Sequence, residues 1–167
     1  MADGNLTPVS VSRRIQAPAA ELFAVLADPA RHPGIDGSGM LREAGGTALI
    51  GGVGDVFSMS MHNAEMGDYE ISNLVVEFEQ DRRIGWEPAL TAASRPEDQD
   101  DIGHRSHHRW SFELAPVAPD VTVVTETYDC TMSPQWLRSA VKGGQRWVAS
   151  MTTTLEKLDQ QCAGVKR

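Results

Sequence analysis

A long amphipathic segment near the C-terminus constrains this chain more than any other feature of its sequence. From residue 134 to residue 160, an apolar residue or glycine recurs at every third or fourth position, which is the spacing of one face of an α-helix. That face comprises Leu137, Val141, Gly144, Val148, Met151, Leu155 and Leu158. Ser133 and Pro134 are typical of an N-cap and a first helical position. A helix of this length spans about 40 Å, so an extended apolar surface elsewhere in the chain must cover it.

The middle of this segment contains two adjacent glycines, Gly143 and Gly144, between Trp136 and Trp147. Each glycine costs a helix up to about 1 kcal/mol relative to alanine. Bulky side chains on either side of two missing ones predict a hollow on this face. A close backbone crossing or a kink would explain the glycines equally well. A coiled coil is disfavoured, because tryptophans and glycines would lie along its seam.

The length predicts one domain over residues 1–167, with an ordered core over residues 6–160. Hydrophobic residues make up 41% of the chain, and no apolar run is long enough to cross a membrane. The N-terminal residues lack the pattern of a signal peptide, so we expect a cytoplasmic protein with two free thiols, Cys130 and Cys162. The net charge of −8 disfavours nucleic acid as a partner.

Upstream of the helix the chain is mostly strand. Apolar alternation predicts a first strand over residues 8–16, followed by a helix from 17 to 27 and a further helical turn from Asp28. Further strands are predicted at residues 40–42, 47–50, 55–62, 69–79, 82–87, 104–114 and 121–130. A slip in apolar parity predicts a bulge near Ser72-Asn73. Residues 88–103 show no periodicity and are predicted to form a mobile loop.

The order of these elements predicts an α+β architecture, in which a strongly curved antiparallel sheet wraps around the long C-terminal helix. The phrases IQAPAAELFAVLADPARHPGID, GDVFSMSM, NLVVEFEQDRRIGWEP, HRWSFEL and TVVTETYDCTM follow one another in the chain. In this order they resemble the START-like SRPBCC superfamily, and within it the polyketide cyclase/dehydrase and lipid-transport family. The resemblance covers residues 8 to 158.

The resemblance implies a helix-grip fold with an apolar cavity between the sheet and the last helix. It also implies binding or transport of a hydrophobic small molecule such as a lipid or polyketide, by a monomer or homodimer. The alternative that it implies is an aromatase or cyclase. A third possibility is a module whose groove receives a protein segment.

The inward faces of the predicted elements supply the candidate cavity wall. These ligand-binding candidates are Phe57, Met59, Met61, Leu74, Val76, Phe78, Trp86, Trp110, Phe112, Gly144, Trp147, Val148 and Met151. Methionine adapts to irregular ligands, and ligand pockets are mostly apolar with a few polar groups. An ordinary filled core would use the same residues.

Three polar residues are candidates for acid–base chemistry. The predicted hairpin pairs Phe112 with Val124, Trp110 with Glu126 and His108 with Tyr128. In that register Glu126 points inward beside Tyr128, and His108 lies diagonally across from it. A carboxylate, an imidazole and a phenol in an apolar pocket could move a proton or orient a ligand. A buried structural network, or a register that turns Glu126 outward, is the alternative.

Neither a metal nor a cofactor is predicted. His104, His107 and His108 are close in sequence, but on a strand His107 would face away from the other two. No acidic or cysteine ligand has the spacing to complete a metal site. The chain also contains no phosphate loop, nucleophile motif or dinucleotide fingerprint.

Overall fold

One antiparallel sheet carries the seven strands of the computed structural model, which describes residues 6–92 and 102–164. The strands are β1 Val9–Ile15, β2 Leu41–Ala44, β3 Val56–Asn63, β4 Gly67–Glu79, β5 Arg83–Leu90, β6 Arg109–Ala118 and β7 Val121–Asp129. They lie in the order β1-β7-β6-β5-β4-β3-β2. Because β1 pairs with β7, the first and last strands of the chain are neighbours in the sheet.

Among the described residues, two helices follow β1 in the chain, and two more follow β7. They are α1 Ala19–Leu26, α2 His32–Ile35, α3 Gln135–Ala140 and α4 Val148–Gly164, with 3₁₀ turns at Pro29–Arg31 and Lys142–Trp147. The side chain of Asp28 accepts a hydrogen bond from the Ala30 N–H, as expected for the cap of the first 3₁₀ turn. The predicted α+β helix-grip fold is confirmed.

The apolar face of α4 lies against the inner face of the sheet. Met151, Leu155 and Leu158 are buried on this face, whereas Thr152 and Glu156 on the other side are exposed. Leu155 and Leu158 join the main core with Ile15 of β1 and with the buried side chains of α1. The amphipathic pattern therefore predicted the packing of this half of the C-terminal segment correctly.

The other half of that segment differs from the prediction. Gly143 has φ 65° and Gly144 has φ 102°, which are left-handed values that no α-helix contains. The chain therefore makes a short helix α3, a 3₁₀ turn and then α4, and a single helix from residue 134 is wrong. The N-cap predicted at Ser133 is also wrong, because α3 begins at Gln135 with Pro134 in the cap position.

Gly144 packs closely instead of facing a hollow. A Cβ atom placed on it would lie 2.8 Å from Val9 Cγ2 and 3.1 Å from Tyr128 Cδ2. Real Cβ atoms do not approach other atoms so closely, so the backbone at Gly144 is pressed against β1 and β7. The close crossing was the correct alternative, and Gly144 leaves no space for a ligand at this point of the segment.

Two strand registers differ from the predicted ones. In the β6–β7 hairpin, Trp110 pairs with Tyr128 and Phe112 with Glu126. This register differs by two residues from the predicted one, because the strands extend to Ala118 and Val121 with an irregularity at residues 116–118. A shift of two residues keeps each side chain on its predicted face. Glu126 therefore still points inward.

The bulge in β4 lies later than predicted, between Val75 and Glu77. Asn73 and Val75 are therefore the buried, inward-facing residues, and Leu74 alternates to the outer face, where it pairs with the exposed Val56. The parity that placed Leu74 and Val76 on the cavity wall was wrong, because it put the extra residue at Ser72-Asn73.

The segment predicted as a mobile loop is partly strand. β5 continues to Leu90, and bridges join Ala89 to Arg105 and Leu90 to Ile102. Residues 93–101 of the predicted loop lie outside the described residues.

The predicted strand at residues 47–50 does not form. Cys130 and Cys162 are both buried. In the described part of the chain, no helix is long and apolar enough to span a membrane.

Candidate ligand-binding cavity

A cavity of about 510 Å³ lies between the inner face of the sheet, α2 and the C-terminal segment. Ten of the residues selected from the sequence line it: Phe57, Met59, Met61, Trp86, His108, Trp110, Phe112, Glu126, Trp147 and Met151. Six others do not: Leu74, Val76, Phe78, Tyr128, Gly144 and Val148. Phe78 does face inward, but its ring packs edge-on against Phe23 in the core, with the ring centroids 5.4 Å apart.

Methionines and aromatic rings contribute many of the side chains of the cavity wall. Five of the chain's seven methionines line it: Met40, Met59, Met61, Met66 and Met151. One wall contains a ring cluster in which Trp86 stacks on His32 at 5.1 Å and meets Phe57 edge-on at 5.3 Å. Such a wall offers broad apolar contact, and the flexible methionines allow it to adjust to a ligand's shape.

His32 is a wall residue whose role the sequence did not reveal. Its Nε2 lies 2.7 Å from the Leu26 carbonyl oxygen, so Nε2 carries the proton and donates it. Burial lowers the pKa of His32, which leaves a neutral ring stacked on Trp86. A residue in an aperiodic segment has no sequence pattern from which an inward orientation follows.

His108 and Tyr128 form one hydrogen-bonded pair. His108 Nδ1 lies 2.8 Å from the Tyr128 hydroxyl. Burial lowers the pKa of His108 to about 4, and burial also raises the pKa of Tyr128. Both groups are therefore neutral at physiological pH. His108 reaches the cavity, while Tyr128 lies behind Trp110, with 4.6 Å between their ring centroids.

Glu126 does not belong to this pair. Its side chain is 3% exposed, and Oε2 has no hydrogen-bond partner among residues 6–92 and 102–164. Burial raises the pKa of Glu126 well above its usual range, and the negative charge of Asp36 adds to the effect. The three polar residues thus form a neutral histidine–tyrosine pair and a separate, isolated carboxyl group.

Charged groups lie at the edges of the cavity. The Arg146 guanidinium is half-exposed, 3.9 Å from Glu65, and its central carbon lies 5.5 Å from the Trp147 ring centroid. Asp36 is held by hydrogen bonds from Ser38 and from the Leu41 N–H. No set of three potential metal ligands occurs in the described ranges.

Comparisons with known proteins give relatives in sequence and many in structure. No family model matches the chain. The protein Rv0088 of Mycobacterium tuberculosis H37Rv, which is uncharacterised, is 32% identical over 165 residues that cover 93% of this chain and 64% of Rv0088. The chain therefore spans just under two thirds of that relative's length.

Two solved structures illustrate the fold. NE0264 from Nitrosomonas europaea is 16% identical with a TM-score of 0.69, over 97% of each chain. Norcoclaurine synthase from Thalictrum flavum is 12% identical with a TM-score of 0.61, over 96% of each chain. At these identities the likeness concerns the fold alone, which is START/Bet v1-like. That part of the resemblance is confirmed, and the polyketide cyclase/dehydrase and lipid-transport assignment stays a prediction.

Proposed function

We propose that this protein binds a hydrophobic small molecule, of the size of a lipid or an aromatic polyketide, in the cavity between the sheet and α4. The observation that carries the proposal is the cavity itself. Its volume of about 510 Å³ falls within the roughly 300–1,000 Å³ that is typical of small-molecule sites. A fully packed core leaves few voids larger than a water molecule.

The lining supports an apolar ligand. Methionines, aromatic rings and aliphatic side chains supply much of the wall, burial favours the neutral forms of His108 and Glu126, and the charged Arg146 lies at an edge. Burial of apolar ligand surface against such a wall contributes about 25 cal/mol per Å². A carrier needs only this binding, and it can act as a monomer or a homodimer.

Displacement of a fluorescent apolar dye tests the proposal. We expect the dye to bind at micromolar concentration and to be displaced by members of a panel of fatty acids, sterols, flavonoids and aromatic polyketides. The variant Met59→Trp/Met151→Trp fills the cavity from two sides, because these buried methionines lie on β3 and α4. We expect it to bind dye at least tenfold more weakly.

Thr152→Trp is the matched control, since it adds the same ring to α4 on the exposed face. Its dye binding should equal that of the wild type. Equal binding by the control and the double variant would place the dye outside the cavity and contradict the proposal.

A second candidate function is catalysis, in which His108, Glu126 and Tyr128 would serve a cyclase or dehydratase acting on a polyketide-like substrate. One observation favours it: His108 lines the cavity, is neutral and is hydrogen-bonded to Tyr128, so an unprotonated imidazole faces the place where a substrate would lie. Norcoclaurine synthase, as its name says, is an enzyme on this fold, although a shared fold transfers no activity. Under this hypothesis His108→Gln abolishes turnover of a bound polyketide and leaves its affinity unchanged. Turnover that survives the substitution contradicts it.

A further inference from the structure

The middle of β7 places a carboxylic acid in apolar surroundings. Glu126 faces inward between Val124 and Tyr128, both of which are fully buried. Its cross-strand neighbours are Val11 on β1 and Phe112 on β6. Native proteins seldom leave a buried polar atom without a partner, and such an atom calls for an explanation. Glu126 Oε2 is such an atom.

The charge state of this group follows from its surroundings. No ion pair of Glu126 occurs in the described part of the chain, and the charge that acts on it is the negative charge of Asp36. Ionisation would put an unpaired charge in an apolar site, which is strongly unfavourable. The carboxyl group therefore keeps its proton, and the neutral acid has one O–H to donate.

A second unpartnered atom, Asn73 Oδ1, lies in the same cavity but far from Glu126. Glu126 on β7 pairs with Phe112 on β6, which in turn pairs with Ile84 on β5. Asn73 on β4 pairs with Pro88, which lies four residues after Ile84 on the same strand β5. Glu126 and Asn73 are therefore separated by about 13 Å along the strand direction. Across the strands, β4 and β7 would be about 14 Å apart in a flat sheet. One small functional group cannot meet both atoms.

We propose that Glu126 is the polar anchor of the ligand, donating a hydrogen bond from a neutral carboxyl group to an uncharged oxygen of an otherwise apolar molecule. The oxygen is that of a carbonyl, hydroxyl or ether group, and the molecule enters with this group innermost. This inference rests on the proposed binding function and adds to it the class of ligand. A carboxylate ligand is disfavoured because Asp36 already supplies negative charge.

Four matched aromatic probes separate the possibilities: naphthalene, acetylnaphthalene, naphthoate and (aminomethyl)naphthalene. They differ in one substituent, which is absent, neutral, anionic or cationic at neutral pH. We expect the wild type to prefer acetylnaphthalene to naphthalene by about tenfold, equivalent to about 1.4 kcal/mol. Naphthoate and the amine should bind more weakly than acetylnaphthalene.

Two substitutions at Glu126 then test the donor. Glu126→Gln keeps an N–H donor in place and should retain the preference for acetylnaphthalene. Glu126→Leu removes the donor and should lose the preference, while naphthalene binds as well as or better than before. Asn73→Leu is the matched control, because it removes another unpartnered polar side chain of the cavity and should leave the preference intact.

A second measurement needs no ligand. The infrared carbonyl band of a protonated carboxylic acid should appear at neutral pH in the wild type and be missing from Glu126→Gln. Absence of this band from the wild type would overturn the proposal, even if a variant failed to fold.

The outcomes separate the inference from the proposed function. If naphthalene binds and Glu126→Leu keeps the preference for the ketone, the inference is wrong and the binding function stands. If the amine binds best and Glu126→Gln abolishes its binding, Glu126 is an ionised partner for a cation and the inference is again wrong. If neither the apolar dye nor any of the four probes binds the wild type, both proposals fail.

Discussion

Replacing Gly144 with alanine should destabilise this protein substantially, although alanine is the better helix former. Gly144 has φ 102°, and holding a non-glycine residue in such a region costs about 1–3 kcal/mol. The added methyl group would also lie 2.8 Å from Val9 Cγ2 and 3.1 Å from Tyr128 Cδ2. Relieving that overlap costs about 1–3 kcal/mol more. The lower entropy of the unfolded alanine chain returns about 0.4–1 kcal/mol.

The expected loss is therefore about 2–5 kcal/mol, a large part of the roughly 5–15 kcal/mol by which a typical domain is stable. Urea unfolding measures it as a lower midpoint with little change in slope. Gly46→Ala is the control: Gly46 lacks a positive φ, and nothing lies within 4 Å of an added Cβ. If Gly144→Ala proves as stable as Gly46→Ala, the close crossing at Gly144 is wrong and a hollow at this site is again possible.

Three further outcomes follow from the buried polar groups. Tyr128→Phe should lower the free energy of unfolding by about 1–2 kcal/mol, because His108 Nδ1 loses its partner at 2.8 Å; urea unfolding with no change would show that the pair contributes nothing. The pKa of His108 is about 4 in the folded state and about 6.5 in the unfolded state. Between these pH values the folded state binds fewer protons, so the free energy of unfolding falls by up to about 3 kcal/mol as the pH decreases from about 6.5 to about 4. A plot of stability against pH should therefore be flatter for His108→Gln than for the wild type. Glu126 has the opposite effect on the pH dependence of stability, because its pKa is raised in the folded state. The free energy of unfolding of the wild type should fall as the pH rises above about 4.5. The stability advantage of Glu126→Gln should therefore grow with pH, and an advantage independent of pH would contradict the raised pKa.

The parts of the fold that sequence reasoning predicted correctly are those governed by periodicity. Alternation in β7 put Glu126 on the inner face, and the spacing of Met151, Leu155 and Leu158 put them against the sheet. A two-residue error in the β6–β7 register did not disturb these assignments, because side chains alternate with a period of two.

The errors occurred where the backbone departs from periodicity. The bulge after Val75 moved Leu74 to the outer face and left Asn73 and Val75 inside. A glycine pair signals that the backbone has unusual freedom, but the hollow and the tight crossing both use that freedom, so the sequence could not separate them. The sequence did not identify His32 as a residue of the cavity wall, because its position depends on how its short segment packs against Trp86.

The most direct test of the central claim is native mass spectrometry of the purified protein after incubation with an extract of apolar metabolites. We expect the wild type to carry one small molecule that is released on denaturation. The cavity-filled variant Met59→Trp/Met151→Trp should carry none, and Thr152→Trp should behave like the wild type. A wild-type protein that retains no small molecule under these conditions, or a cavity-filled variant that retains the same molecule equally well, would contradict the claim that this cavity binds a ligand.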